Sequence, residues 1–181
     1  TSIDTATVAR LVPKWTYHSG VVGTFQATPI VVDGVMYVVT ARQKIVALDA
    51  TNGKVKWTFD SGIGTGNPTR GLAYWSDGRE RRLFASVASY LYAIDAETGS
   101  SISSFGDQGK IDLRANLRGA PEDNVFAATT PPVVYKDLLI VGGRVAETTP
   151  ASPGDERAYD VRTGAMRWRY RCRQSVPTMK I

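Results

Sequence analysis

The sequence predicts an all-β protein, a β-propeller of about three four-stranded blades that form a partial, open arc. Three observations predict this fold. A turn motif recurs three times along the 181 residues, each copy follows apolar runs of strand length, and no long amphipathic helix is found. Four-stranded units of roughly 40–50 residues that repeat along a chain are typical of propeller blades.

The turn motif lies at residues 47–57, 93–99 and 158–168. Its first copy reads Ala-Leu-Asp-Ala-Thr-Asn-Gly-Lys-Val-Lys-Trp. The Asp carboxylate can accept hydrogen bonds from backbone N–H groups of the turn, and the Gly tolerates a positive φ. The final Trp supplies a flat ring that can pack between neighbouring sheets. The middle copy has Ser103 in place of this Trp, and we expect Phe105 to substitute for it.

The strands and blades are predicted in the same order. Residues 28–39 hold two β-branched runs around an Asp-Gly turn, which indicates a hairpin. Apolar runs at 82–94 and 132–141 correspond to it, and the best helical signal is a short one near 111–118. We therefore predict one partial propeller domain over residues 1–181. Its blade-like repeats span about 12–60, 68–109 and 125–171, and an atypical tail follows at 172–181.

Composition and charge exclude several classes of protein. One Cys rules out an internal disulfide framework and a cysteine zinc site, and one His leaves little room for a histidine metal cluster or a serine-hydrolase triad. No run of 18 apolar residues exists, so we expect no transmembrane helix. The net charge of +5 comes from the end of the chain, since residues 157–181 carry seven basic side chains and one acidic. Because the remainder is close to neutral, no nucleic acid is expected as a partner.

The sequence resembles the quinoprotein dehydrogenases, propellers that hold pyrroloquinoline quinone (PQQ) and a calcium ion. The resemblance rests on the turn motif and on three further stretches. These are Phe-Gln-Ala-Thr-Pro-Ile at 25–30, Arg-Gly-Leu-Ala-Tyr-Trp at 70–75, and Thr-Thr-Pro-Pro-Val-Val at 129–134 with Val-Gly-Gly-Arg-Val-Ala-Glu at 141–147. It implies an eight-bladed propeller, nearest the glucose, quinate and alcohol dehydrogenase group, of which these residues supply about three blades.

Four residues are candidates for binding PQQ by this resemblance. Arg70 stands where the family places an arginine on a PQQ carboxylate, and Gln26 stands where many members have Glu. Thr129 and Thr130 precede a Pro-Pro pair as the family's cofactor-contacting threonine precedes its own Pro. Each has an alternative interpretation. Arg70 could be a surface arginine in a Gly-rich loop, and Gln26 could be a solvated amide at the start of a strand. The hydroxyl of Thr129 or Thr130 could cap a strand.

Glu147 matches the family's acidic calcium position. An exposed glutamate before Thr148 is the alternative interpretation, because one carboxylate cannot make a calcium site by itself. The family's catalytic aspartate and its other calcium ligand belong to later blades, so no catalytic residue is assigned here.

The resemblance implies a function for a parent protein longer than this chain. That parent is expected to be a periplasmic PQQ-dependent dehydrogenase that oxidises an alcohol or an aldose by calcium-assisted hydride transfer to the quinone. A quinone or cytochrome would accept the electrons. We expect this chain to be a fragment or a prematurely ended product, inactive alone and prone to self-association. The alternative is a non-enzymatic β-propeller scaffold that binds proteins in the cell envelope.

Overall fold

Three antiparallel sheets of four strands make up the computed structural model, which confirms the predicted all-β fold with about three blades. The structure describes residues 3–63, 68–115, 117, 126–146 and 154–171. Within these ranges the only helical element is a 3-10 turn, Val8–Arg10. No helix in this part of the chain is long and apolar enough to cross a membrane. The predicted tail at 172–181 lies outside the described residues.

The strands are numbered along the chain. Blade 1 contains β1 (Ile30–Val32), β2 (Val35–Val39), β3 (Ile45–Asp49) and β4 (Val55–Phe59). Blade 2 contains β5 (Ala73–Ser76), β6 (Arg81–Val87), β7 (Tyr90–Asp95) and β8 (Lys110–Asp112). Blade 3 contains β10 (Val133–Tyr135), β11 (Leu138–Val141), β13 (Glu156–Asp160) and β14 (Met166–Tyr170). The other two strands, β9 (Phe126–Ala127) and β12 (Arg144–Val145), pair with each other as a separate ribbon, the β9–β12 ribbon.

Each blade is a meander whose strands lie side by side in chain order. Blade 3 is interrupted, since the chain leaves it after β11, forms β12 in the ribbon, and returns as β13. The short helix expected near 111–118 is wrong at its start, because residues 110–112 form β8 and pair with β7. Sheet pairing outweighs a weak local helical preference there.

The turn motifs follow the third strand of each blade, and their Asp side chains hold the turns. The Oδ1 atom of Asp95 accepts hydrogen bonds from the backbone N–H groups of Glu97 at 3.0 Å and Thr98 at 2.7 Å. Asp49 and Asp160 accept equivalent bonds within their own turns. The carboxylate therefore takes up amide groups that the reversing chain would otherwise leave unpaired.

The joint between blades 2 and 3 is built without the tryptophan that the motif predicts. The atoms nearest to Gly164 in blade 3 belong to the Gly106 backbone and to the Ile111 side chain. Phe105 is fully buried, but its ring packs against Phe84 with centroids 5.6 Å apart. Phe105 thus lies in the apolar layer between blades 2 and 3 with Leu139 and Tyr159, as expected of an aromatic ring that replaces the missing Trp, while Gly106 and Ile111 occupy the position over Gly164 itself.

A second contact between blades 2 and 3 centres on Trp75, which is 6% exposed. Its Nε1–H donates to the carbonyl of Lys136 at 3.0 Å. The guanidinium groups of Arg162 and Arg82 lie 4.6 Å and 5.9 Å from the indole ring. Arg82 also donates to the carbonyl of Val161 at 3.1 Å. We call these residues the Trp75 clamp, and they join the two blades where the motif lacks its aromatic residue.

Two apolar layers lie between neighbouring blades, and a third, smaller cluster of Val38, Val46 and Leu48 in blade 1 packs against Trp15 and Tyr17. The layer between blades 1 and 2 includes Tyr37, Ile45, Leu83 and Ile94. The layer between blades 2 and 3 includes Phe84, Leu91, Phe105, Leu139 and Tyr159. Blade 3 has no described neighbour on its other side, and the large apolar side chains exposed on its first and last strands are Val133, Tyr135, Met166, Trp168 and Tyr170.

Candidate functional site

The segments that precede the first strands of the three blades hydrogen-bond to one another. The amide of Thr28 donates to the carbonyl of Arg70 at 3.0 Å, and the amide of Arg70 donates to the carbonyl of Thr129 at 2.8 Å. These residues lie shortly before β1, β5 and β10, so the same end of each blade meets here. We call Thr28, Arg70 and Thr129 the blade-start junction.

The junction also brings two predicted site residues into side-chain contact. Nη1 of Arg70 donates to Oγ1 of Thr129 at 3.4 Å, and the arginine is exposed to solvent. A guanidinium carries five N–H donors in a planar fork, so this single bond leaves donors for an incoming anion. The Thr129 hydroxyl accepts from Arg70 and keeps its own O–H to donate. The pair therefore offers several donors at one exposed place.

The backbone conformation at residue 71 explains why a glycine follows Arg70. Its φ is +145°, a conformation that L side chains rarely adopt, and a Cβ there would lie 3.2 Å from the carbonyl oxygen of Thr28. The preceding Thr69 is buried, and its hydroxyl donates to the Gly71 carbonyl at 3.4 Å. The backbone at Arg70 and Gly71 is thus held close to Thr28, and the Thr69 hydroxyl ties the two ends of this short segment together, which holds the base of the arginine side chain in place.

Gln26 and Thr130 lie beside the junction and do not join the Arg70–Thr129 contact. Both side chains are exposed. Within the described residues, neither forms a hydrogen bond with Arg70. Gln26 lies two positions before Thr28, and Thr130 directly follows Thr129. Their assignment to PQQ stays a prediction.

The predicted calcium ligand, Glu147, lies outside the described residues. The described part of the chain holds no group of three or more His, Cys, Asp or Glu side chains that could bind a metal ion. These residues do not by themselves fit a calcium site, and Glu147 as a ligand stays a prediction.

Sequence reasoning missed the buried arginine Arg157, whose exposed fraction is 0%. Its Nη1 donates to the carbonyls of Leu113 at 2.7 Å and Ala115 at 3.3 Å. Burial lowers the pKa of this guanidinium from its ordinary value. One signal could have revealed it. When the three turn motifs are aligned on their Asp, the position of Arg157 holds Val46 in blade 1 and Tyr92 in blade 2, so a charged residue occurs there only in blade 3.

The basic residues of β14 are paired with acidic partners rather than forming an open cationic face. Arg167 donates to Oδ2 of Asp160 at 2.7 Å. Nε of Arg169 lies 3.9 Å from Oδ2 of the buried Asp155.

Comparison with known proteins points to one family over almost the whole length. The family described as PQQ: Glucose/ethanol/alcohol dehydrogenase, beta-propeller domain, matches residues 1–180. The chain is 28% identical over 195 residues to the quinoprotein glucose dehydrogenase of Escherichia coli K12, covering 93% of this chain and 24% of that protein.

Two further similarities extend this result. Subunit 1 of the cytochrome c methanol dehydrogenase of Paracoccus denitrificans is 32% identical over 185 residues, covering 93% of this chain and 27% of that protein. The solved quinohemoprotein alcohol dehydrogenase of Pseudomonas putida HK5 superposes with a TM-score of 0.70 at 29% identity, covering 87% of this chain and 22% of that one. The chain spans about a quarter of the length of the curated relatives it matches.

Proposed function

The chain belongs to the family of PQQ-dependent glucose, ethanol and alcohol dehydrogenase β-propellers, and on that premise we propose that its blade-start junction binds a carboxylate of PQQ. Family membership places the chain among oxidoreductases. The observation that carries the proposal is the side-chain contact of Arg70 with Thr129 at 3.4 Å, on a junction that three blades share.

The donor set of this pair fits the cofactor. PQQ carries three carboxylates, and a guanidinium binds a carboxylate through two parallel N–H donors. The Thr129 hydroxyl, which accepts its bond from Arg70, can donate to the same carboxylate. Because one partner is a cation, these hydrogen bonds are roughly twice as strong as bonds between neutral groups. We assign Arg70 as the principal anchor and Thr129 as its partner.

Gln26 and Thr130 are proposed as additional contacts to the quinone. The amide of Gln26 can donate to a carboxylate or carbonyl oxygen and brings no charge, and the Thr130 hydroxyl can do the same. Both residues flank the junction along the chain and are exposed, so their side chains are open to a ligand held by Arg70.

We propose that the parent protein oxidises an alcohol or an aldose in the periplasm and passes the electrons to a quinone or a cytochrome. PQQ, when bound, supplies the acceptor for a hydride from the substrate carbon. The residues of this chain hold and orient that cofactor, and calcium assistance, with Glu147 among the ligands, is assigned to the parent. Since no catalytic carboxylate is assigned within these 181 residues, we expect no turnover from the chain by itself.

Equilibrium dialysis of PQQ against the purified chain tests the proposal. We expect measurable binding that Arg70→Ala weakens by about tenfold or more, since a charge-assisted bond to a carboxylate contributes roughly 1.5–3 kcal/mol. Arg79→Ala is the matched control, because Arg79 is also exposed but lies in the loop between β5 and β6, at the far end of blade 2. Equal affinities in both variants, or no binding by the wild-type chain, would contradict the proposal and favour the scaffold alternative.

The expected inactivity has its own measurement. Reduction of an artificial electron-acceptor dye is followed with alcohols and aldoses after PQQ and Ca²⁺ are added to the chain. Sustained turnover would contradict this expectation and show that the chain contains a catalytic carboxylate.

A further inference from the structure

Arg157 lies at the start of β13, and its guanidinium is buried between two other segments of the chain. Nη1 bonds to the carbonyls of Leu113 and Ala115, which follow the last strand of blade 2. The guanidinium carbon lies 4.9 Å from the centre of the Phe126 ring, within the range of a cation–π contact. A single side chain of blade 3 therefore touches both the exit of blade 2 and the β9–β12 ribbon.

Phe126 belongs to the β9–β12 ribbon, so its ring links Arg157 to that ribbon. Phe126 pairs with Val145, and Ala127 pairs with Arg144. The ring lies so close to Gly143 that a Cβ there would come within 2.0 Å of it, so no larger residue fits. The Phe126 ring therefore contacts the Arg157 guanidinium and also lies close against the Gly143 backbone.

The ribbon leads directly into the proposed cofactor site. Thr129 follows Phe126 by three residues, and the residue between the ribbon and Thr129, Ala128, is buried. The Thr129 carbonyl accepts the Arg70 amide and its hydroxyl accepts the Arg70 guanidinium. A displacement of Phe126 is therefore passed through a short buried segment to both hydrogen bonds of Arg70.

Stability alone does not account for an arginine at this position. Within the described residues, Nε and Nη2 of Arg157 are buried and have no hydrogen-bond partner. Buried donors without partners cost free energy, and apolar residues of similar volume commonly replace buried charges without loss. Blades 1 and 2 have Val46 and Tyr92 at the equivalent position.

We propose that Arg157 is a positioning residue: it fixes the β9–β12 ribbon and thereby sets the geometry of the Arg70–Thr129 pair. This inference rests on the proposed function for its consequence, which is cofactor affinity. Its structural part, the seating of the ribbon, stands on the contacts of Arg157 alone.

Arg82, on β6 of blade 2, offers a control, because its guanidinium lies at the opposite end of β13 from Arg157. It is also buried, and it donates to the carbonyls of Val161 and Arg162 just beyond the end of β13. The register of blade 3 places Val133, next to the Thr129 segment, at the Arg157 end and Tyr135 at the Arg82 end. Replacing either arginine removes a buried guanidinium bonded to two carbonyls. Arg82 additionally bonds to Glu80, and only Arg157 lies near the ribbon.

Hydrogen–deuterium exchange of the full 181-residue chain tests the proposal without any quinone. In Arg157→Met we expect the amides of Arg70 and of residues 126–129 and 144–146 to exchange about tenfold faster than in the wild type, because they open locally. The midpoint of global unfolding should be unchanged or higher. Arg82→Met should leave these amides at the wild-type rate. Wild-type exchange of the ribbon in Arg157→Met, or equal acceleration in both variants, would overturn the proposal.

A second variant covers the case in which Arg157→Met does not fold. Phe126→Leu keeps the arginine and removes the ring that it contacts, so the same amides should exchange faster, and unchanged exchange would overturn the proposal. Dialysis then measures whether PQQ affinity falls in Arg157→Met and not in Arg82→Met. If the wild type binds no PQQ, the proposed function fails, and the exchange data still decide the role of Arg157.

Discussion

The indole ring of Trp57 in blade 1 lies directly against Gly99 in blade 2, so that a Cβ at residue 99 would come within 2.6 Å of the ring. The Nε1–H group of Trp57 donates to the carbonyl of Ala96 at 3.2 Å. Trp15 makes the same contacts with Gly53 and the carbonyl of Ala50. In blades 1 and 2 the glycine of the turn therefore packs against a tryptophan that precedes it in the chain.

Gly99→Ala is expected to destabilise the chain by about 2–4 kcal/mol, combining a left-handed backbone with a collision against the Trp57 ring. Gly34→Ala is the control, because Gly34 has nearly the same φ, +77° against +76°, and nothing within 4 Å of its Cβ position. Gly34→Ala should lower the free energy of unfolding by only about 1 kcal/mol. Urea unfolding followed by circular dichroism measures both, and equal losses would show that the tryptophan contact adds nothing.

Trp75→Leu is expected to cost about 3 kcal/mol, since it removes a buried ring, its hydrogen bond to Lys136 and two cation–π contacts. Trp168→Leu serves as the comparison, because Trp168 is 40% exposed and has no described blade to contact. That change should cost less than about 1 kcal/mol. A loss from Trp168→Leu as large as that from Trp75→Leu would mean that the Trp75 clamp does not hold blades 2 and 3 together.

Acid is expected to unfold the chain between about pH 4 and pH 2. Burial acts to raise the pKa of Asp160, but hydrogen bonds from Arg167 and Thr163 outweigh it and lower the pKa to about 2. The pKa of Asp77 is also about 2, through backbone hydrogen bonds from Glu80 and Arg79 and a side-chain bond from Arg162.

Both folded-state pKa values lie below the ordinary value of 3.8. The stability that the two carboxylates contribute is therefore present above about pH 4 and is lost as the pH falls towards 2. Asp160→Asn should lower stability at neutral pH and make it less dependent on pH in this window. The measurement is the urea midpoint at pH 7, 4 and 2.5, and parallel pH curves for variant and wild type would exclude this role for Asp160.

Self-association through the open face of blade 3 is expected because several large apolar side chains are exposed there. Static light scattering should give an apparent mass above that of one 19.7 kDa chain. The double variant Met166→Glu and Trp168→Glu should lower it. Val22→Glu is the control, since Val22 is 96% exposed but lies outside the sheets. A wild-type chain that stays monomeric at high concentration would refute the expectation.

The blades could be predicted from sequence because their signals are local. The Asp, the Gly and the turn they hold lie within five residues of one another, as Asp95 and Gly99 do. The apolar runs that form β2 and β3 are likewise contained in short segments. Such patterns specify a hairpin regardless of what packs against it.

The candidate site was predicted only as separate residues. Resemblance selected Arg70 and Thr129, but they are 59 positions apart in the chain, and nothing in either segment indicates that one bonds to the other. Gln26 and Thr130 were selected by the same reasoning, and they lie beside the contact rather than in it. Their places follow from how three blades meet, which no single segment encodes.

The sequence by itself determined the all-β class, the three blades and the turns that close them, because those features depend on short-range hydrogen bonds and on short apolar runs within each blade. Only the tertiary structure decided how the blades are joined. It placed Ile111 and Gly106 against Gly164 in the absence of a Trp, and it put Arg157 against Phe126, three residues before Thr129. Those contacts join segments separated by tens of residues, so they exist only once the blades have packed.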